Sequence, residues 1–511
     1  MQRFFLPVLP VLFLLGCGAD DDNSNAPDIT APQLSGQFPA DSAISQSRLL
    51  TLTGIVSDDS KLGSVEIISG EQTFSADLQL DDDGRSGQFS AALRLSGGLN
   101  TFQIVVTDAA GNQTRASHQA YFGKRVTAGG AHSGAIVEGK TYVWGRNNKG
   151  QLGLGMTSKL ASDESHPLTP VLLPTSKTFV SLAFNQNASL ALAADGTVWS
   201  WGDGANGQLG LGSAAAETAD TSTRLTPVQV PGITDAVSVV RGYGHSLVLH
   251  NDGTVSAFGS NNLGQLGDGS ALNRDYPVRL TLTGIVQVAA SSGSSYALDE
   301  QGVLWGWGAN DYANLGLASE DTEVHSTPVQ IPLPQAITAV AAGRDHVLAL
   351  GKSGQVYAWG LNFSSQVGLF VSEQWPEVVT SPQLLPWFSD VQAVWANGNQ
   401  SFVKRADGKV YPWGQNMLGT LGIEQDDDVE APLSPILQFD NALDLGNGAL
   451  HTVGLRGDGQ LFSWGWSFEG SLGGSDLINL WGYRVPVLVS VPEAAAEAEA
   501  ETSAVMVTSA P

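Results

Sequence analysis

Apolar residues in this chain come in short runs of strand length, and turns built on glycine separate the runs. One unit shows the pattern in full. Ser246 to His250 is an apolar run, and Asn251-Asp252-Gly253 follows it, a hairpin signal because the tight turn needs positive φ. Thr254 to Phe258 alternates as a half-buried strand does, and Gly259 ends it. Gly264-Gln-Leu-Gly267 is a second turn, with Leu266 as its apolar anchor between two permissive glycines. Tyr276-Pro277-Val278 then reads as an edge strand, where a missing N–H is tolerated.

That unit is one of seven. Its aromatic-glycine pair recurs as Trp144-Gly145, Trp201-Gly202, Phe258-Gly259, Trp307-Gly308, Trp359-Gly360, Trp413-Gly414 and Trp464-Gly465, at intervals of 57, 57, 49, 52, 54 and 51 residues. A period near fifty signals stacked or radial repeats. About four short strands per unit and seven units predict an all-β fold, a seven-bladed β-propeller over residues 123–492. Radial stacking buries the face that one four-stranded sheet cannot bury alone. The repeated aromatics are expected in the core. A Gly-x-x-His position holds His132, His245, His346 and His451 in four of the seven units.

Gly242-Tyr-Gly-His245-Ser-Leu-Val-Leu, then Asp252-Gly253, Phe258-Gly259 and Gly264-Gln-Leu-Gly267, resemble the regulator of chromosome condensation repeat, and the resemblance runs through residues 123–492. It implies a seven-bladed propeller and a structural role for the four histidines. A ring spreads them apart, whereas a metal needs its ligands about 2.1 Å from one point. The family's namesake binds chromatin and drives nucleotide exchange on a small GTPase. The net charge of −26, from 24 basic and 50 acidic residues, argues against the chromatin role, because phosphate neutralisation needs clustered Lys and Arg.

The flanks differ from the repeats. Arg3 and the apolar run Phe4 to Leu15 read as a signal peptide, too short to span a bilayer. Leu14-Leu15-Gly16-Cys17 resembles a bacterial lipoprotein cleavage box, which implies acylation of Cys17, the one cysteine of the chain, and an outer-membrane address in the cell envelope. Residues 18–26 read as a flexible tether. Residues 27–122 alternate through Leu50–Val56, Phe74–Leu80, Phe89–Leu95 and Phe102–Val106, which predicts a small β-sandwich. Asp28-Ile-Thr-Ala-Pro32, Gly54-Ile-Val-Ser-Asp58 and Asp108-Ala-Ala-Gly-Asn112 resemble bacterial immunoglobulin-like modules, which imply a spacer. Val485 to Val489 is expected to close the ring beside the strand near Tyr121 to Thr127. The acidic tail 493–511 is expected to be disordered.

No catalytic constellation can be singled out. Gly351-Lys352-Ser353 lacks the upstream glycine of a phosphate-binding loop and sits in a hairpin. Asp81-Asp82-Asp83 has no closing Glu for a calcium loop. No cofactor and no metal are expected. Trp375, Trp387, Phe388, Trp395, Trp481 and Tyr483 have no counterpart in the other units, and large aromatics are favoured interface anchors, so these six are the candidate binding residues. The loops Gly153–Pro170 and Gly210–Pro227 are the longest and carry Asp163, Glu164, Glu217 and Asp220. The expected function is a non-catalytic envelope lipoprotein whose propeller binds a protein or a glycan, with no nucleic acid and no membrane contact beyond the lipid. Alternatives are a tethered or secreted inhibitor of an envelope enzyme, a polysaccharide-active enzyme, or nucleotide exchange by family name.

Overall fold

A computed structural model describes residues 28–39, 43–158, 166–317, 321–369, 377–425, 428–429, 434–474 and 482–492. Cys17, Trp375, Trp481, Asp163, Glu164 and the 493–511 tail lie outside the described residues.

Residues 33–122 form two sheets. In the first, Leu49–Ser57 pairs with Gln33–Gln37 and with Ser86–Arg94, which also holds Asp77–Leu80. In the second, Gly98–Asp108 lies between Leu62–Ser69 and Gln113–Phe122, with Gln72–Ser75 and Ile44–Ser45 at the edges. The period of two decides the packing. Phe89, Ala91 and Leu93 face Phe102, Ile104 and Val106 in one buried cluster, while their sequence neighbours on Ser86–Arg94 point outward. The stretch Phe74 to Leu80, expected as one strand, is two. The chain changes sheets at Ala76, whose N–H donates to Val65 O (2.9 Å), and this leaves Leu80 exposed.

From Val126 onward the sheets follow the repeat. Seven antiparallel sheets are each drawn from one contiguous stretch, and the innermost strands are Val126–Ala128, Phe179–Phe184, Ala236–Arg241, Ile285–Ala290, Ile337–Ala342, Val391–Asn397 and Ala442–Asn447. Among the described residues, six have four strands, and the sixth has three plus a bridge from Gly414 to Val429. Pro227, Pro277, Pro328, Pro382 and Pro486 all sit in outermost strands, where one side needs no ladder donor. The repeated Trp rings are fully buried between sheets. At about 25 cal/mol per Å² and roughly 150–250 Å² per ring, each contributes about 4–6 kcal/mol before entropy is counted.

Ring closure departs from expectation. Tyr483–Val489 pairs with Leu461–Gly465, in its own sheet, and Val126–Ala128 pairs with His132–Val137. Among the described residues, no sheet mixes the two ends of the repeat region. The seventh sheet meets the first through a main-chain bond from Ala449 N–H to Gly129 O (3.1 Å) and through side chains. Asp444 accepts hydrogen bonds from Lys124 Nζ (3.0 Å) and from the N–H of Arg125 (2.9 Å), and Arg146 pairs with Glu469.

Candidate partner-binding face

A hydrogen-bond clasp repeated between neighbouring sheets holds the loops in place. Trp201 Nε1 donates to Gln151 O in the second turn of the preceding unit (2.8 Å). Its cross-strand neighbour Ser189 donates its hydroxyl to the same carbonyl (2.7 Å) and therefore accepts from His132 Nε2 (3.2 Å). The same relay joins His245 to Ser295 (2.9 Å) and His346 to Ser401 (2.8 Å), with Trp307 and Trp413 on the carbonyls of Gln265 and Gln366. His451 and Ser133 complete it across the ends of the ring, with Trp144 on Ser471 O (2.9 Å). Burial pushes His132, His245 and His346 down to about 3 and His451 to about 4, so the rings are neutral, and the relay puts their one ring proton on Nε2. The second-turn glycine belongs to the clasp too. Gly267 has φ +75°, and a Cβ there would lie 2.7 Å from Trp307 Nε1.

The third sheet breaks the pattern and repairs it. Ala188 stands where a histidine would lie, and Phe258 where a Trp would. Gln208 O is instead reached by Arg241 Nη2 (3.0 Å), and Ser246 Oγ is left without a partner.

Strand polarity sorts the loops onto two faces. His245 pairs with Gly259, so every Gly-x-x-His loop and every second turn leave the same end of their sheet, and the Asp-Gly hairpins leave the other. The two-sheet unit docks on the hairpin end. Arg48 donates to the carbonyls of His250 (3.3 Å) and Asn251 (2.8 Å), and Arg94 pairs with Glu300. Gln46 bonds both backbone groups of Val394, donating to O (2.6 Å) and accepting from N (2.9 Å), the clamp that Gln287 makes on Val340.

The opposite face is free of that unit and carries an arc of exposed apolar side chains. Tyr243 (62% exposed) projects from a Gly-x-x-His loop, and Leu263, Tyr312, Phe363 (69% exposed) and Met417 project from the second turns of units three to six. In unit seven the half-buried Phe468 follows the arc, stacked on Trp466 at 4.7 Å. The sequence signal was there: these turns need no large apolar residue at either of two adjacent positions, where Leu263 and Tyr312 align with Lys149 and Asn206, and Phe363, Met417 and Phe468 align with Asn148 and Ala205.

The four candidate aromatics among the described residues do not gather into one site. Trp387 is 40% exposed, with Nε1 on Gly368 O (3.2 Å). Phe388 is buried, with its ring 5.3 Å from that of Trp413, and is not an exposed anchor. It does have counterparts, since Ile233 and Phe439 hold the same place three residues before an innermost strand, and Phe439 packs on Trp464. Trp395 is likewise buried in the core of sheets four to seven, and Tyr483 is half-buried in an outermost strand. A ring closed in by its own core offers a partner no surface. In the long loop of unit two, Glu217 is exposed and Asp220 is tied to Arg224 (2.5 Å).

Carboxylates with metal-ligand spacing occur once among the described residues, and not at Asp81-Asp82-Asp83, where Asp81 holds Ser86 and Asp83 caps Arg85 N–H. Asp28, Asp58 and Asp108 bring ligand atoms within 4.8 Å of one another. No helix among the described residues is long and apolar enough to cross a membrane.

Residues 81–387, more than half of the chain, match the family described as the RCC1-like domain. This chain belongs to that family. The RCC1-like chain is 29% identical over 374 residues to the E3 ubiquitin-protein ligase HERC2 of Homo sapiens, covering 71% of this chain and only 7% of that relative's length. It is 28% identical over 363 residues to the ultraviolet-B receptor UVR8 of Arabidopsis thaliana, covering 68% of this chain and 78% of the relative. In fold it is similar to yeast RCC1 (Prp20) in its complex with Kap60, with a TM-score of 0.59 at 23% identity over 68% of this chain and 83% of that one. The RCC1-like β-propeller is thus the fold, and the sixth and seventh sheets lie beyond the matched segment.

Proposed function

We propose that this protein is a non-catalytic binding scaffold of the cell envelope: an acylated Cys17, a tether over 18–26, an immunoglobulin-like spacer over 27–122, and a seven-bladed closed propeller over 123–492 that recognises a protein partner. The observation that carries the reading is the apolar arc from Tyr243 through Tyr312 and Phe363 to Met417, on the face turned away from the spacer. Tyrosine and phenylalanine are rigid, mostly apolar and large, the properties of interface anchors. The seven consecutive sheets, with His451 and Ser133 bonded across the two ends of the series, support the closed ring. The yeast RCC1 structure with Kap60 supports the use of this fold for protein binding. The spacer reading rests on the two packed sheets of residues 33–122 and on the docking of Arg48 and Gln46 against the hairpin end. The anchor rests on the sequence around Cys17 alone.

The test is capture from an envelope extract with the full chain, against a Tyr243→Ser, Tyr312→Ser, Phe363→Ser triple variant. The reading expects a protein retained by the wild type and lost from the variant at unchanged far-UV circular dichroism. Equal retention by both would overturn it.

A further inference from the structure

The seven innermost strands surround a central cavity of about 910 Å³, the size of a small-molecule site, which typically runs from about 300 to 1,000 Å³. Ile44, Ser45 and Gln46 lie at its hairpin-side end, so ligand entry is from the loop face. Its charge is opposite to that of the whole molecule. The charged residues of the wall are Lys124, Arg241, Arg344, Lys404 and Asp444, four basic and one acidic, in a chain with 24 basic and 50 acidic residues.

Asp444 is already committed to Lys124 and to the first innermost strand, and Arg344 has Asp345 beside it (3.3 Å). Arg241 and Lys404 have backbone partners instead, Gln208 O (3.0 Å) and Ala442 O (3.2 Å). Arg241 is only 8% exposed, yet its Nε and Nη1 have no hydrogen-bond partner. Nε and Nη1 are themselves sealed from solvent, so the cavity meets the charge of Arg241 and not these two donors. A buried guanidinium with no carboxylate beside it is a costly arrangement, and an anion in the cavity offsets part of that cost through its charge. Low-dielectric walls of one sign also concentrate field within a cleft.

We propose that the central cavity binds a small soluble oxyanion carrying carboxylate or phosphate groups, entering from the loop face, with Lys404 as its donor near the closed end and the buried charge of Arg241 in the wall adding to the attraction. Burial alone lowers Arg241 to about 9 and moves Lys404 downward as well, and a bound anion would reverse both shifts.

The test is calorimetric titration of the full chain with citrate and with inorganic pyrophosphate at constant ionic strength, with glucose as the neutral control. Saturable binding of at least one anion, and none of glucose, is expected. Lys404→Met and Arg241→Met should each weaken it at least tenfold, and Arg344→Gln less than threefold. Because Arg241 also bonds the Gln208 carbonyl, Lys404→Met carries the test if the Arg241 variant does not fold. Absence of saturable heat with both anions, or affinity unchanged in Lys404→Met, would overturn the proposal.

Discussion

His451 Nε2 lies 2.8 Å from Ser133 Oγ, and these residues belong to the last and the first of the seven sheets. The bond repeats the one between His346 and Ser401 inside the series, so the join between the two ends uses the same bond as three of the joins within it. No shared strand reinforces it. Ser133→Ala should therefore destabilise the protein by about 1–3 kcal/mol, because it strips a buried imidazole and a buried carbonyl of a partner. Ser401→Ala should have a similar effect. Urea denaturation of the two variants checks this; a negligible effect of Ser133→Ala beside a large one of Ser401→Ala would show that the ends are not joined in solution.

The four clasp histidines make stability depend on pH. Their folded values, about 3 for His132, His245 and His346 and about 4 for His451, lie below the unfolded value near 6.5. Below about 6.5 the unfolded chain binds protons that the folded one refuses. The stabilisation is thus complete above about pH 6.5 and is lost as pH falls towards about 4, with a slope approaching roughly 1.4 kcal/mol per pH unit for each histidine. Urea midpoints between pH 6.5 and 4.5 should fall steeply, with proton uptake on unfolding approaching four. A flat profile over that window would contradict the neutral, buried assignment.

Arg241 acts as a substitute for a missing indole. Arg241→Ala should lower stability by about 1–3 kcal/mol, since it removes the nitrogen on Gln208 O. Phe258→Trp in the same chain should recover part of that loss, because four other units pair Trp with an alanine at this place, as Trp307 does with Ala290. A double-mutant cycle measures the coupling. Additive effects would mean that the two side chains do not serve the same carbonyl.

Much of this was legible in the sequence. The seven Trp-Gly or Phe-Gly pairs, the hairpin glycines and the edge prolines mark the sheets because each answers a local demand, whether a buried ring, a positive φ or an unpaired edge. What was not legible depends on long-range placement. Phe388 and Trp395 looked free because they stand outside the most regular motif, but a residue three places before an innermost strand, or within it, is packed by the neighbouring sheet. The pairing of Val485–Val489 was misplaced for the same reason, since its hydrophobic pattern does not say which edge it meets. Gln46 is a single polar residue in a polar stretch, and only the docked structure shows its amide clamping Val394.

That clamp predicts a mechanical link between the two units. Gln46→Ala leaves the Val394 N–H and carbonyl unpaired at the cavity wall, and amide exchange along Val391–Asn397 should quicken by at least tenfold relative to Ile337–Ala342, where Gln287 makes the equivalent clamp. Equal exchange in both strands would mean that Gln46 does not hold the unit in place.

The most direct measurement is hydrogen exchange on the full chain with and without its captured partner. The account predicts slowed exchange around Tyr243, Leu263, Tyr312, Phe363 and Met417, all on the loop face. Slowing confined to the Asp195-Gly196 and Asp252-Gly253 hairpins or to residues 33–122, with the loop face unchanged, would contradict it.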